Sequence, residues 1–134
     1  GVTANVRGGL VEHVTPRIAD VLADLLAAGE SPMLQLRAVG AAVNTTPSDA
    51  TAYAHRTQNF SLSAMTTGSR RAALDRRWEQ LGADVTGVYR SFDLGDDRLE
   101  RAYPPATLAR LREIAAVYDP DAVFGHDLPL TVPR

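Results

Sequence analysis

Apolar residues in this chain change period, from 3.6 residues to two and back again, and that change limits the fold more than any other feature. Thr15-Pro16 opens a segment in which Ile18, Val21, Leu22, Leu25 and Leu26 share one stripe of a 3.6-residue repeat. The Thr15 hydroxyl is a natural helix cap, and Pro16 brings a fixed φ with no amide hydrogen to leave unpaired. Gly29 stands where a left-handed C-cap belongs, so the pattern predicts a helix over 16–28. Leu34 and Leu36 then alternate with Gln35 and Arg37, the period-two pattern of a half-buried strand. A second strand is read over Phe60-Ser61-Leu62-Ser63-Ala64-Met65. A third is read over 86–93, with Val88 and Phe92 on one face and Tyr89 and Ser91 on the other.

Helical spacing returns between and after these strands. Ser69 is read as the cap of a helix that carries Leu74, Trp78 and Leu81 and ends at Gly82. Asp96 and Asp97 fit the start of a short helical turn. Pro104-Pro105 opens a last helix with Leu108, Leu111, Ile114, Ala115 and Tyr118 as its apolar stripe. Asp119-Pro120 stops it, because a residue before proline avoids the α region. Arg7-Gly8-Gly9 reads as a turn, and the proline-rich tail from Leu128 as a surface segment. The order helix, strand, strand, helix, strand, helix implies an α+β domain over residues 1–134. Its antiparallel sheet has three to four strands, with helices packed on one face. The opposite face is left to Gln35, Arg37, Tyr89 and Ser91, and chemistry is expected there.

Much familiar chemistry is excluded. No Cys is present, which removes disulfides, thiolate nucleophiles and thiolate metal sites. His13, His55 and His126 are too scattered for metal-ligand spacing, so no metal is expected. Neither a G-x-G-x-x-G turn after a strand nor a Walker-type glycine loop occurs, and no serine sits on a nucleophile elbow. A formal charge of −2 gives no electrostatic reason to expect nucleic acid or an anionic membrane as partner. All 14 basic side chains are Arg, as a GC-rich coding sequence would produce. No apolar run approaches the roughly 18 residues of a membrane span, and residues 1–7 contain no apolar signal-peptide core. A cytoplasmic protein is the expectation.

Three stretches carry a further signal. The first runs Leu34-Gln35-Leu36-Arg37-Ala38-Val39-Gly40-Ala41-Ala42-Val43, followed by Ala50-Thr51-Ala52-Tyr53-Ala54-His55-Arg56. The second is Gly87-Val88-Tyr89-Arg90-Ser91-Phe92. The third is Ala102-Tyr103-Pro104 with Leu108-Ala109-Arg110-Leu111 and then Tyr118-Asp119-Pro120-Asp121-Ala122-Val123-Phe124. In order and spacing they resemble the carboxy-terminal, substrate-domain region of FAD-linked oxidases of the berberine-bridge type, over roughly residues 10–127. That family has a strand ending in Gly-Gly-Ala, a Thr-Ala-aromatic-x-His-Arg element, a Gly-x-Tyr-x-Asn-aromatic strand and a terminal Tyr-Asp-Pro-x-x-x-Phe.

The resemblance implies a sheet that roofs the flavin ring, while a separate amino-terminal domain holds the FAD; this chain carries no counterpart of that domain. It implies Tyr89 as the general base for oxidation of a substrate hydroxyl. A tyrosine with a reference pKa of about 10 needs a neighbouring cation for that work, and Arg37 is the candidate. The ordinary alternative is a tyrosine half-packed on a sheet. Ser91 stands where the family has a flavin-facing asparagine, and its hydroxyl offers a smaller set of hydrogen bonds. After Phe124 the family's Arg-x-Asn-x-Asn is replaced by Gly125-His126-Asp127-Leu128-Pro129; Asp127 takes the place of the first asparagine, and Pro129 removes the second. Gln35 and Arg37 are candidates to face a small-molecule substrate, or are solvated strand polars. His55 and Arg56 read as structural groups that bond backbone carbonyls, and Trp78 as a packing residue.

Two readings follow. One is a segment of an FAD-dependent oxidoreductase, not competent alone, which needs a flavin-binding domain or subunit. The other is a stand-alone α+β binding or homodimerisation module that has lost flavin chemistry.

Overall fold

The computed structural model describes residues 4–95, 97–124 and Leu130. Strand β1 (Ala4–Val11) is followed by helix α1 (Pro16–Ala27), strand β2 (Met33–Ala38) and strand β3 (Phe60–Thr67). Helices α2 (Arg71–Trp78), α3 (Arg98–Ala102) and α4 (Pro105–Tyr118) complete the order, with 3₁₀ turns at Ala41–Thr45, Gly68–Arg70, Glu79–Asp84 and Arg90–Phe92. The sheet is antiparallel, in the order β1-β3-β2. The α+β class and the number of strands are as expected, but one strand is not the one expected.

Arg7-Gly8-Gly9, read as a turn, lies inside β1, paired with Ala64, Ser63 and Leu62. Residues 86–93, read as a strand, contribute a single bridge, Gly87 to Leu10. The chain then turns through Arg90–Phe92, where the Phe92 amide donates to the Tyr89 carbonyl at 2.9 Å. Both departures have one physical cause. A Cβ on Gly8 would stand 2.2 Å from the Phe92 carbonyl oxygen, and one on Gly9 would stand 2.9 Å from a Val85 methyl. The glycines therefore serve close approach between segments far apart in sequence, not reversal of the chain.

Helix α1 forms as its termini dictate. The Thr15 hydroxyl accepts from the Ile18 amide at 3.3 Å, and Gly29 adopts φ +64°. The Glu30 amide bonds the Leu25 carbonyl and the Gly29 amide bonds that of Leu26, the paired bonds of a Schellman end. Its stripe buries Ile18, Val21 and Leu25 against Val11, Leu62, Ala64, Leu74, Trp78 and Leu81. Each large aliphatic side chain so buried contributes about 1.5–3 kcal/mol. The helix around Trp78 is shorter than its pattern suggested. Ser69 sits in a 3₁₀ turn and makes no cap, and α2 passes into a second 3₁₀ turn that still buries Leu81.

Leu36 corrects the expectation for β2. It shares a face with Leu34 but is 54% exposed, because β2 is an edge strand and the helical layer does not reach its far end. The last helix also shows less burial than its stripe implies. Leu108 packs with Leu99, Tyr103 and Leu130, whereas Ile114 and Tyr118 of the same stripe are exposed. Asp97 precedes α3 as expected; Asp96 and the tail other than Leu130 lie outside the described residues. No described helix is long and apolar enough to cross a membrane.

Candidate functional site

The sheet face away from α1 and α2 is only partly open. The segment after Gly87 crosses it, anchored by Asp93, whose side chain is fully buried. One Asp93 carboxylate oxygen accepts from the Gly8 amide at 2.9 Å and the other from the Gly95 amide at 2.6 Å. Arg7 and Arg101 approach the same carboxylate at 3.8 and 3.5 Å. Arg7 also pairs with Asp75 of α2, and Arg101 with Asp97, so charged pairs connect both layers to this segment. No sequence signal marked Asp93, because apart from the Gly95 amide its partners come from the distant residues 7, 8 and 101.

His55 holds the other end of this layer. Its Nε2 lies 2.9 Å from the Ala102 carbonyl, and the buried ring fills the space that a Cβ on Gly87 would need. Since a carbonyl only accepts, Nε2 carries the proton. Burial lowers the His55 pKa below its ordinary value, against the opposing effect of the Ala102 and Arg101 carbonyls. Arg56 donates to the Val43 carbonyl at 3.0 Å and to the Thr51 hydroxyl at 2.7 Å. Both residues bond backbone carbonyls, as expected for the His-Arg pair.

Between these anchors lies a cleft of about 310 Å³. Tyr89 and Phe92 form one wall, ring centres 5.7 Å apart, and Tyr53 meets Tyr89 edge-on at 6.1 Å. Guanidinium groups flank this row of rings, with Arg37 over Phe92 at 4.8 Å and Arg56 over Tyr53 at 5.2 Å. The cleft is otherwise lined by Leu10, Val39, Val43 and Ser61, and among the described residues no carboxylate lines it. Burial raises the Tyr53 pKa above its ordinary value; the Arg56 charge works the other way, and Tyr89 adds to the rise. Tyr53 is thus a neutral donor at physiological pH.

Of the sequence-predicted residues, the fold brings Tyr89 and Arg37 together in this cleft. Arg37 lies over Phe92 and makes no hydrogen bond to the Tyr89 hydroxyl. Gln35 is on the same sheet face two residues away, paired with Ser63, but does not line the cleft. Ser91 lies on the other side of Tyr89, along a separate cavity of about 190 Å³ next to Tyr103. Asp127 lies outside the described residues. A groove of about 410 Å³ between residues 49–52 and α4 contains none of these residues. Phe92 was placed with Val88 on the face opposite Tyr89; the 3₁₀ turn swings it beside Tyr89 instead. Tyr53 was legible only as the aromatic of its motif. Among the described residues no cluster of three or more His, Asp or Glu side chains is placed to hold a metal ion.

Known structures share this fold. Physcomitrella patens BBE-like 1 superposes with a TM-score of 0.78 at 19% identity, covering 97% of this chain and 31% of that one. A glycopeptide hexose oxidase solved with teicoplanin gives 0.70 at 20% identity over 98% of this chain and 33% of the oxidase. GilR, an oxidoreductase that catalyses the terminal step of gilvocarcin biosynthesis and was solved with pregilvocarcin, gives 0.62 at 15% identity over 91% and 31%. The chain thus has a fold found over about a third of each of these proteins. No protein-family model matches the sequence, and no curated protein matches it significantly.

Proposed function

We propose that this chain is the carboxy-terminal substrate-domain segment of an FAD-dependent oxidoreductase and supplies one wall of an active site whose flavin is held by another domain or subunit. The observation that carries the reading is Tyr89 in an aromatic cleft beside a guanidinium, in a fold shared with a third of several oxidoreductases. The cleft fits a small ring system. It does not fit a whole dinucleotide, since the described residues offer neither a glycine-rich phosphate loop nor a volume of that size. The flavin, when bound by its own domain, supplies the acceptor for a hydride leaving a substrate carbon.

This chain's residues then orient the substrate and take its proton. Tyr89 accepts the proton of the substrate hydroxyl, and Arg37 and Arg56 line the same cleft, where they hold the substrate's polar groups. The rings of Tyr53 and Phe92 exclude water from one side. Gln35 and Arg37 face substrate, while Ser91 and Asp127 are the cofactor-facing positions of the assembled site.

Titrating the chain with FAD tests the central claim. No saturable uptake and a colourless protein are expected, and tight stoichiometric binding overturns it. When the chain is expressed with its flanking reading frame, a flavin-bearing protein is expected in which Tyr89→Phe lowers kcat by about 10²–10⁴-fold with flavin content unchanged. A second reading, the homodimerisation module, is favoured by the exposed apolar end of α4. A flavin-free dimer in sedimentation, from a frame encoding no flavin domain, selects it.

A further inference from the structure

We infer that the cleft of Tyr53, Tyr89 and Phe92 binds an aryl carboxylate, with its ring against these side chains and its carboxylate on Arg37. This deepens the oxidoreductase reading by naming the substrate class, and rests on that reading only where it concerns turnover.

The two cations of the cleft are not equivalent. Arg56 commits donors to the Val43 carbonyl and the Thr51 hydroxyl, and so helps fix Tyr53 and the surrounding loop. The Arg37 side chain makes no ion pair or hydrogen bond with the described residues, and its guanidinium lies over the face of Phe92. A guanidinium held over a ring uses its own face and leaves the N–H edge open. That edge matches a carboxylate with two parallel hydrogen bonds. Among the described residues no acidic side chain lines the cleft, so none of them competes for it.

Shape limits the rest of the ligand. At about 310 Å³ the cleft lies at the low end of ligand sites, which run from about 300 to 1,000 Å³, so one or two rings fill it. Its walls are mainly rings and aliphatic side chains, and offset or edge-on packing against Tyr89 favours a flat aromatic body over a sugar.

Binding of benzoate, benzamide and benzylamine to the isolated chain, followed by NMR chemical-shift perturbation, tests the inference. Saturable shifts at Arg37, Tyr89 and Phe92 are expected with benzoate, at an affinity at least about tenfold above that of the isosteric benzamide. Benzylamine is expected to give none. Arg37→Gln should abolish the preference for benzoate, whereas Arg37→Lys should retain a weaker preference, having the charge without the fork. Equal affinity for benzoate and benzamide, shifts elsewhere on the surface, no benzoate binding, or an unchanged benzoate affinity in a folded Arg37→Gln chain each overturn it. None of these results bears on FAD uptake or on the Tyr89→Phe loss, so the oxidoreductase reading stands or falls separately.

Discussion

A carboxylate taken wholly out of water needs donors and opposite charge, and Asp93 obtains hydrogen bonds from two backbone amides and charge from two nearby guanidiniums. Removing one member of such a buried group leaves the others desolvated without a partner. Asp93→Ala is therefore expected to cost about 3–5 kcal/mol, read from the urea midpoint, with Asp93→Asn costing less because the amide oxygen still accepts one bond. A loss below about 1 kcal/mol for the alanine variant would show that the carboxylate is not what pins this segment. His55 makes a prediction with a sign. Its folded pKa lies below the ordinary value near 6.5, so as pH falls past about 6.5 the unfolded chain takes up a proton that the folded chain resists. Stability should decline as pH falls below about 6.5, until the folded His55 is protonated as well. His55→Gln, which can still donate to the Ala102 carbonyl, should lose that part of the decline; an unaltered profile contradicts the assignment. Neither residue role was equally legible. His55 and Arg56 were read as structural because two polar groups at a loop end commonly meet carbonyls, whereas nothing near Asp93 in sequence announces its partners.

At the scale of elements, local rules worked where an element's ends and faces are specified by its own residues. Thr15, Pro16 and Gly29 specify α1 with no outside help. β3 was legible from the alternation of its sequence, although as the central strand it buries Ser61 and Ser63 as well as Leu62 and Ala64. The failures are tertiary. Gly8 and Gly9 look like a turn locally, yet they are the positions where another segment crosses a strand. Residues 86–93 alternate like a strand, but after one bridge their backbone is held by Asp93 and by the Tyr89–Phe92 turn. The same geometry explains how much of the site could be read. Arg37 and Tyr89 were expected on one face and do meet, while Phe92 joins them only through a turn that alternation cannot reveal. Gly8→Ala tests this dependence. Its methyl would collide with the Phe92 carbonyl, so the crossing segment should lift while α1, α2 and the β2–β3 pair persist. Near-ultraviolet circular dichroism from Tyr89 and Tyr53 should diminish with far-ultraviolet helicity largely kept; loss of both signals together would mean that the segment and the core fold as one unit.

Across the whole molecule, burial is uneven. Nine residues from β1, α1, β3, α2 and the turn after it make the main core, whereas α4 is joined to the rest chiefly through Leu108 and its small cluster with Leu99. Towards its end the helix turns Val117 and Tyr118 outward, 71% and 81% exposed, and Phe124 in the segment just beyond it is 87% exposed. The 3.6-residue pattern in α4 was legible, but a pattern says which residues share a face and not what covers it. In this chain nothing among the described residues covers the distal half. Side chains already in water contribute little to folding, so the two ends of α4 should respond oppositely to mutation. Leu108→Ala is expected to cost about 2–5 kcal/mol, the range for a buried leucine. Val117→Ser and Phe124→Ser should each stay within about 0.5 kcal/mol of the parent, since they remove no buried contact and leave intact the Asp119 carboxylate that accepts from the Val123 and Phe124 amides. Denaturation of all three variants at low protein concentration decides the matter. If the serine variants lose as much as Leu108→Ala, the distal half of α4 is covered in solution, and the surface assigned to it here is wrong.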